Sequence, residues 1–341
     1  MTSVLFVRLS AMGDLVQGLG AIQALHHARP DWRLSLVTQA ANVPLLAGVS
    51  ALTEVFPFDR RGGLRAVRAL RATLRPRRFE HALDLQGNWK SAFVARCSGA
   101  RQTIGAAAAA RQEPGSRWLL QRTVDIGGVA HPARVAWQLV RELAPEVPFA
   151  LPRLVASESE VEAEAEVLRG VGVAPDRAFR VVVVTDPADC RALRPQVVAG
   201  EAQRGPEPAV LLVGPGESHL ELPQGVPVLR HGAGELRRLV ALGVLMARVG
   251  GEVLGPDQGA SHVLAAAGAR TVLQFGAQDP RRTCPPAAIA IVHPQGPPCR
   301  PCSRRRCDHP QGPVCMEFAP GLGLPADCGL PADGAARDAG A

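Results

Sequence analysis

The segment from residue 252 to residue 276 constrains the fold most strongly. An apolar strand leads into the acidic turn Gly-Pro-Asp-Gln-Gly at 255–259, which is followed by a short helical run and a second apolar strand. This order predicts a βαβ unit and hence a parallel sheet. Glycines permit unusual backbone conformations, and the free N–H groups of a helix start near Ala260 attract anions. The turn therefore predicts a phosphate site; the alternative is an ordinary turn with Asp257 as helix cap and His262 as a surface histidine.

A second candidate site follows the first strand. Apolar residues 4–7 run into Arg8-Leu-Ser-Ala-Met-Gly-Asp14 and then into a helical pattern. In a parallel sheet this loop lies at the carboxyl edge, where ligands bind. Asp14 stands at the junction of loop and helix, which suits either a cap or a catalytic carboxylate. The loop lacks the glycine fingerprint of dinucleotide-binding proteins, so an NAD-dependent oxidoreductase is disfavoured.

Apolar runs alternate with helical patterns along the chain, as is typical of α/β proteins. A length of 341 residues exceeds what one core usually fills, so we expect two domains, 1–155 and 156–318, with a proline-rich linker over 144–153. The Gly-, Pro- and Ala-rich tail 319–341 is expected to be disordered. Strands are predicted at 4–7, 34–38, 53–58, 82–85, 180–184, 209–213, 226–229 and 271–275, and helices at 15–28, 63–74, 131–144, 158–168, 235–248 and 260–267.

The net charge is +7, and 37 of the 38 basic residues are arginine because Lys90 is the sole lysine. Guanidinium groups suit phosphates and anionic lipid headgroups, and eight arginines cluster over 60–78. Aromatic residues make up only 4% of the chain and tyrosine is absent, which argues against nucleic-acid binding. No apolar run is long enough to span a bilayer and no charged leader precedes the first strand, so we expect a cytoplasmic protein.

Four segments, in chain order, resemble motifs of the ADP-heptose lipopolysaccharide heptosyltransferases of glycosyltransferase family 9. They are Val-Arg-Leu-Ser-Ala-Met-Gly-Asp-Leu-Val at 7–16, Ala-Leu-Asp-Leu-Gln-Gly-Asn-Trp-Lys-Ser at 82–91, Gly-Pro-Asp-Gln-Gly-Ala-Ser-His-Val-Leu-Ala-Ala-Ala-Gly at 255–268, and Phe-Gly-Ala-Gln-Asp-Pro-Arg-Arg-Thr at 275–283. The resemblance implies the GT-B architecture, in which two Rossmann-like parallel-sheet domains face a cleft.

The resemblance also implies an activity. Such an enzyme transfers heptose or a related sugar, with inversion, from ADP-heptose or another nucleotide-diphosphate sugar to a lipopolysaccharide-core or other cell-envelope glycan. The C-terminal domain would bind the donor, and the N-terminal domain would receive a lipid-linked acceptor by peripheral contact at the inner membrane face. No catalytic metal or organic cofactor is implied.

The matched motifs assign most of the site residues; Arg191 and Arg194 are added as candidate donor-phosphate ligands, and Arg111 because its segment resembles a family segment near the acceptor. Asp14 corresponds to the general base, which removes a proton from the acceptor hydroxyl. The donor set is Asp257, Gln258, Gly259, Ser261, His262, Arg191 and Arg194. The acceptor set is Ser10, Met12, Gly13, Asp84, Gln86, Gly87, Lys90 and Arg111. For Lys90, ligand binding and a chance surface position remain equally open, and neighbouring Trp89 suits either a core or a sugar platform.

One segment departs from the family pattern. Relatives usually carry Asn-Pro-Gly-Ala-x-x-x-x-Lys-Arg-Trp-Pro, whose lysine contacts the donor phosphate, whereas this chain has Thr-Asp-Pro-Ala-Asp-Cys-Arg-Ala-Leu-Arg-Pro at 185–195. Arg191 or Arg194 would have to supply the charge, and the carboxylates of Asp186 and Asp189 would repel a diphosphate. A catalytically degenerate nucleotide-sugar-binding or scaffold protein of envelope assembly is therefore the alternative.

A cysteine-rich loop lies at 297–316. Its thiols, Cys299, Cys302, Cys307 and Cys315, are close enough in sequence to enclose one tetrahedral metal ion. We expect a structural zinc or iron there, since some members of the family carry a similar loop. Free thiols are the alternative, and a disulfide is less favoured in a reducing compartment.

Overall fold

A computed structural model describes residues 1–59, 61–128, 130–217 and 219–319, and the backbone of 324–326. The chain divides into two compact units between Pro152 and Arg153, close to the predicted linker. Both units are α/β, with a mainly parallel sheet and helices on its faces. None of the helices in the described ranges is long and apolar enough to cross a bilayer.

The first unit is a parallel sheet whose strand order is β3-β2-β1-β4-β5-β6. This is the order of a dinucleotide-type fold, which reverses direction between β1 and β4 and places ligands at the carboxyl ends of those strands. The elements are β1 (Ser3–Val7), α1 (Met12–Ala28), β2 (Arg33–Gln39), β3 (Glu54–Phe58), α2 (Gly63–Leu74), β4 (His81–Asp84), α3 (Trp89–Cys97), β5 (Gln102–Ala106), β6 (Arg122–Val124) and α4 (Pro132–Arg141).

Helices cover both faces of this sheet. On one face α1 packs against α4. On the other face α2 and α3 bury Leu70, Leu74 and Val94 against Leu5 and Val7 of β1. The strands are buried on both sides, which explains why β1 is a continuous apolar run and does not alternate.

The second unit repeats the arrangement with the order β13-β12-β11-β10-β7-β8-β9. All pairings are parallel except the last, in which β13 runs antiparallel to β12. The elements are α5 (Glu158–Gly170), β7 (Arg180–Val184), α6 (Pro195–Ala202), β8 (Ala209–Val213), β9 (Val228–Arg230), α7 (Leu236–Val249), β10 (Glu252–Pro256), α8 (Gly259–Ala266), β11 (Arg270–Phe275), α9 (Pro280–Thr283), β12 (Ile289–Val292) and β13 (Leu324–Ala326).

The strands and helices predicted from the apolar runs are all present, with ends displaced by up to three residues. Short or weakly patterned elements were missed, including β5, β6 and β12. The alanine run 106–110 does not form an α-helix, because β5 ends at Ala106 and a 3₁₀ turn follows at Ala108–Ala110. Most of the tail 319–341, for which disorder was predicted, lies outside the described residues.

Candidate active site

The predicted base lies at the carboxyl edge of the first sheet. Asp14 is the third residue of α1, and its carboxylate accepts a hydrogen bond from the guanidinium of Arg8, the residue that follows β1. Arg8 is 4% exposed and also donates to the Leu85 carbonyl oxygen at 2.5 Å. Ala11 is the helix cap, and its N–H points to Asp14 Oδ2 at 3.5 Å. Asp14 therefore combines the two roles considered from sequence: it stabilises the helix start and presents a carboxylate that is 24% exposed.

Gln86 ties this loop to β4. Its Oε1 accepts hydrogen bonds from the N–H groups of Leu9 at 2.8 Å and Ser10 at 3.1 Å, and its Nε2 donates to Ser10 Oγ at 3.1 Å. One amide side chain thus satisfies two loop donors and the serine hydroxyl. Gln86 is nearly buried, so its main contribution in this structure is to fix the backbone that precedes Asp14.

Asp84 and Arg111 form a buried ion pair beneath the same edge. Arg111 Nη2 lies 2.5 Å from Asp84 Oδ2, and both side chains are fully shielded from solvent. Asp84 Oδ1 accepts from the backbone N–H groups of Gln86 and Gly87, each at 3.1 Å. Arg111 Nε also donates to Ser116 Oγ at 2.8 Å. These groups are engaged within the protein, and direct contact with an acceptor stays a prediction for both.

The structure brings most of the acceptor set together. Met12 and Gly13 form the first turn of α1, next to Ser10. Gly87 has a φ of +78°, and a Cβ added there would lie 3.2 Å from the Arg111 backbone, so glycine is required at the turn. Lys90 is exposed on the first turn of α3.

The donor turn lies at the carboxyl end of β10. His262 Nε2 and Asp257 Oδ1 are 2.9 Å apart, and both residues are largely buried. The cap of α8 is Gln258 and not Asp257, and the helix begins at Gly259 with its N–H groups at the edge of the sheet. Ser261 is fully buried and its hydroxyl donates to the Pro256 carbonyl at 2.9 Å. It therefore supports the turn from within.

The loop after β7 lies beside this turn, because β7 and β10 are neighbours at the point where the strand order reverses. Arg191 forms a bidentate ion pair with Asp189, in which Nη2 is 2.5 Å from Oδ2 and Nε is 2.9 Å from Oδ1. Arg191 Nη1 is also 3.5 Å from the carbonyl oxygen of Asp257. Burial acts to raise the pKa of Asp189, but the Arg191 hydrogen bonds outweigh it and lower that pKa. Arg194 donates to the Pro187 carbonyl at 3.2 Å and has no carboxylate within ion-pair distance among the described residues.

The second acidic residue of that loop, Asp186, is close to a further carboxylate. Burial and the nearby charge of Asp186 together raise the pKa of Glu217. His219 Nε2 is 3.8 Å from Asp186 Oδ2. Negative charge is thus concentrated at this carboxyl edge, next to the predicted donor turn.

The cysteine-rich loop packs against the same region through Cys190. The Cys190 N–H donates to the Arg305 carbonyl at 2.8 Å, and its thiol donates to the Arg304 carbonyl at 3.0 Å. Burial, with an added contribution from Cys302, raises the pKa of Cys190 to about 11. Burial and the nearby Cys307 thiol raise the pKa of Cys315 to about 11. Within the described ranges no three Cys, His, Asp or Glu side chains are arranged to hold a metal ion, so the zinc or iron site stays a prediction.

Comparison with known proteins yields matches to sequences and to solved structures. A model of glycosyltransferase family 9 (heptosyltransferase) matches residues 67–167. The lipopolysaccharide core heptosyltransferase OpsX of Haemophilus influenzae is 24% identical over 103 residues, or 30% of this chain. The aligned stretch spans 29% of OpsX, less than a third of that relative's length.

The resemblance to glycosyltransferase family 9 is confirmed. A family 9 protein from Veillonella parvula superposes with a TM-score of 0.71 and 15% identity, over 85% of each chain. Escherichia coli ADP-heptose lipopolysaccharide heptosyltransferase II superposes with a TM-score of 0.66 and 21% sequence identity, over 87% of this chain and 92% of that chain. These likenesses confirm the predicted GT-B fold class, with a Rossmann-like sheet in each of the two units.

Two features of this family 9-like site were missed from sequence. Arg8 belongs to the first matched motif, but no role was predicted for it from the sequence. Its position indicates one, because a charged residue directly follows four apolar residues of a buried strand. The Asp189–Arg191 pair was also missed. From the sequence, Arg191 was expected to attract the diphosphate and Asp189 to repel it, whereas in the structure the two side chains form an ion pair and neutralise each other.

Proposed function

We propose that the protein is an inverting glycosyltransferase that moves heptose, or a related sugar, from ADP-heptose or another nucleotide-diphosphate sugar to a lipid-linked cell-envelope glycan. The observation that carries the proposal is the position of Asp14 at the carboxyl edge where the first sheet reverses its strand order. The match to the family 9 model supports the reaction class. The similarity to the Escherichia coli protein named ADP-heptose lipopolysaccharide heptosyltransferase II supports ADP-heptose as the donor.

Asp14 is suited to act as the base. Its hydrogen bonds within the described residues reach Oδ2, from Arg8 and Ala11, which leaves Oδ1 for an acceptor hydroxyl. As the hydroxyl oxygen attacks the anomeric carbon, its proton passes to Asp14 and the bond from that carbon to the diphosphate oxygen breaks. The bonding pair leaves with the diphosphate, and attack from the opposite side inverts the anomeric centre.

The departing diphosphate requires positive charge. The free N–H groups at the start of α8 and the guanidinium of Arg194 are two positive groups that the second unit offers, whereas Arg191 is neutralised by Asp189. The buried His262–Asp257 pair orients the turn that presents these N–H groups. In this scheme catalysis requires no metal ion.

The test is incubation of the purified protein with ADP-heptose and a lipid A–core acceptor lacking heptose. We expect release of ADP and a product with inverted anomeric configuration, read by mass spectrometry and NMR. Release of ADP that is independent of acceptor, or retention of configuration, would contradict the proposed reaction.

A non-catalytic nucleotide-sugar-binding or scaffold role is the second candidate. It is favoured by the carboxylates of Asp186 and Glu217 at the donor edge and by the neutralised Arg191. Titration calorimetry with ADP, ADP-heptose, UDP-sugars and NAD distinguishes the two, with Asp257→Ala as the site variant. Selective binding that is lost in the variant, without turnover on any acceptor, would support the second role.

A further inference from the structure

The outer surface of α2, α3 and the 3₁₀ turn Pro114–Leu119 forms one continuous layer on the first unit. Both helices bury residues in the same core cluster, Leu70 and Leu74 from α2 and Val94 from α3. The turn packs beside α3, and Leu120 just after it contacts that cluster. The opposite sides of these elements therefore face solvent in a common direction. We call this surface the α2–α3 face.

Large aromatic side chains are exposed on the α2–α3 face. Trp118 is 76% exposed, Trp89 48% and Phe93 41%. Trp89 and Phe93 are four residues apart on α3 and so lie on one side of the helix, and Trp89 is also close to Gly115 in the turn. The chain contains only four tryptophans, and two of them are at this surface. Such side chains are typical of membrane-interface anchors.

The same face is strongly cationic. The stretch 60–79 contains no acidic residue, and neither does α3. Exposed arginines lie on α2, Lys90 and Arg96 are exposed on α3 with Trp89 and Phe93, and the Arg117 guanidinium carbon is 4.6 Å from the centroid of the Trp118 ring. Among the described residues none of these groups has a carboxylate within 4.0 Å, whereas many arginines of the second unit are ion-paired. The exposed basic residues are Arg65, Arg68, Arg71, Lys90, Arg96 and Arg117.

We propose that the α2–α3 face docks on an anionic bilayer surface. Tryptophan rings would enter the headgroup region, while the guanidinium groups would bind lipid phosphates. Charge complementarity selects this occupant, because a neutral apolar partner would leave six cations unpaired. The face adjoins the acceptor edge, since α3 begins three residues after Gln86. The purpose of docking rests on the proposed function: it would bring a lipid-linked acceptor to Asp14.

The first test measures cosedimentation of the full-length protein with vesicles of phosphatidylcholine alone or mixed with phosphatidylglycerol. We expect binding only to the anionic vesicles, weakened by salt. Replacing Arg65, Arg68 and Arg71 with glutamine should reduce the partition coefficient about fivefold per residue. The matched control replaces Arg177 and Arg230, which are exposed on the second unit. The loss is compared per replaced arginine, since the control changes two residues and the test variant three; an equal loss per residue, or no binding to anionic vesicles, would overturn the proposal.

The second test separates docking from simple attraction of charge. Phe93→Ser with Trp118→Ser should lower vesicle binding at least tenfold, while Trp89→Phe with Trp118→Phe should retain it. In the latter variant quenching of tryptophan fluorescence by brominated lipid should disappear, because only Trp32 and Trp137 remain. Unchanged binding in the serine variant would overturn insertion. ADP titration of each variant shows whether the donor site is intact, so a failure of docking is distinct from a failure of glycosyl transfer.

Discussion

The guanidinium of buried Arg8 donates a hydrogen bond to the carboxylate of Asp14, six residues later in the first turn of α1. Because Arg8 also donates to the Leu85 carbonyl, one side chain joins the end of β1, the start of α1 and the loop after β4. Asp14 is thereby held in one orientation at the edge where an acceptor would arrive. A base positioned in this way loses little entropy when substrate binds.

Replacing Asp14 with asparagine should lower kcat by roughly a hundredfold to ten-thousandfold, because the amide cannot accept the hydroxyl proton. The KM for the donor should change little, since Asp14 belongs to the first unit. Steady-state kinetics with ADP-heptose measures both values. Asp31→Asn, at an exposed carboxylate, is the control. Undiminished turnover in Asp14→Asn would remove the base assignment.

Replacing Arg8 with glutamine should lower kcat through misplacement of Asp14, without raising the donor KM. Loss of the buried contacts should also reduce the free energy of unfolding by about 1–3 kcal/mol. Arg8→Lys keeps a charge and should recover only part of kcat, because one ammonium group replaces the two guanidinium nitrogens that contact Leu85 and Asp14. Urea denaturation and kinetics on the same preparations separate the two effects. A glutamine variant with full kcat would mean that Arg8 serves stability alone.

The Asp84–Arg111 pair is best tested with a double-mutant cycle. Asp84→Asn or Arg111→Met alone should cost about 3–5 kcal/mol of unfolding free energy, since each leaves one buried charge without its partner. The double variant should be less destabilised than the sum of the two, because no unpaired charge remains. Urea denaturation of the four proteins gives the coupling energy. Simple additivity would show that the pair is not coupled.

Asp186→Asn should strengthen ADP binding severalfold, because it removes a negative charge from the edge where the diphosphate is expected. Titration calorimetry provides the dissociation constants. Asp176→Asn, at an exposed position outside that loop, should leave ADP binding unchanged. Weaker binding in Asp186→Asn would mean that this carboxylate helps to hold the donor site together.

Glu160 should make acid stability pH-dependent. Hydrogen bonding to Arg237 lowers the Glu160 pKa from 4.5 to about 2. A carboxylate whose pKa is lower in the folded state contributes stability above its unfolded pKa and loses it as pH falls through the folded value. Glu160→Gln should therefore flatten the decline in unfolding free energy between pH 4.5 and 2, measured by urea denaturation. Glu221→Gln, at an exposed position, is the control and should show the same decline in unfolding free energy as the wild-type protein.

The sequence by itself determined the alternation of strands and helices, the division into two α/β domains and the two turns at which ligands are expected. These follow from local apolar periodicity and from glycine and proline positions, which act over a few residues. Short strands such as β6 were not predicted from the sequence, because three residues are too few to show a periodic apolar pattern. Only the tertiary structure decided the partners of the charged groups. Asp84 meets Arg111 across 27 positions, and Cys190 meets the backbone of Arg304 across 114. Such contacts depend on the order of strands within each sheet, and no local pattern encodes that order.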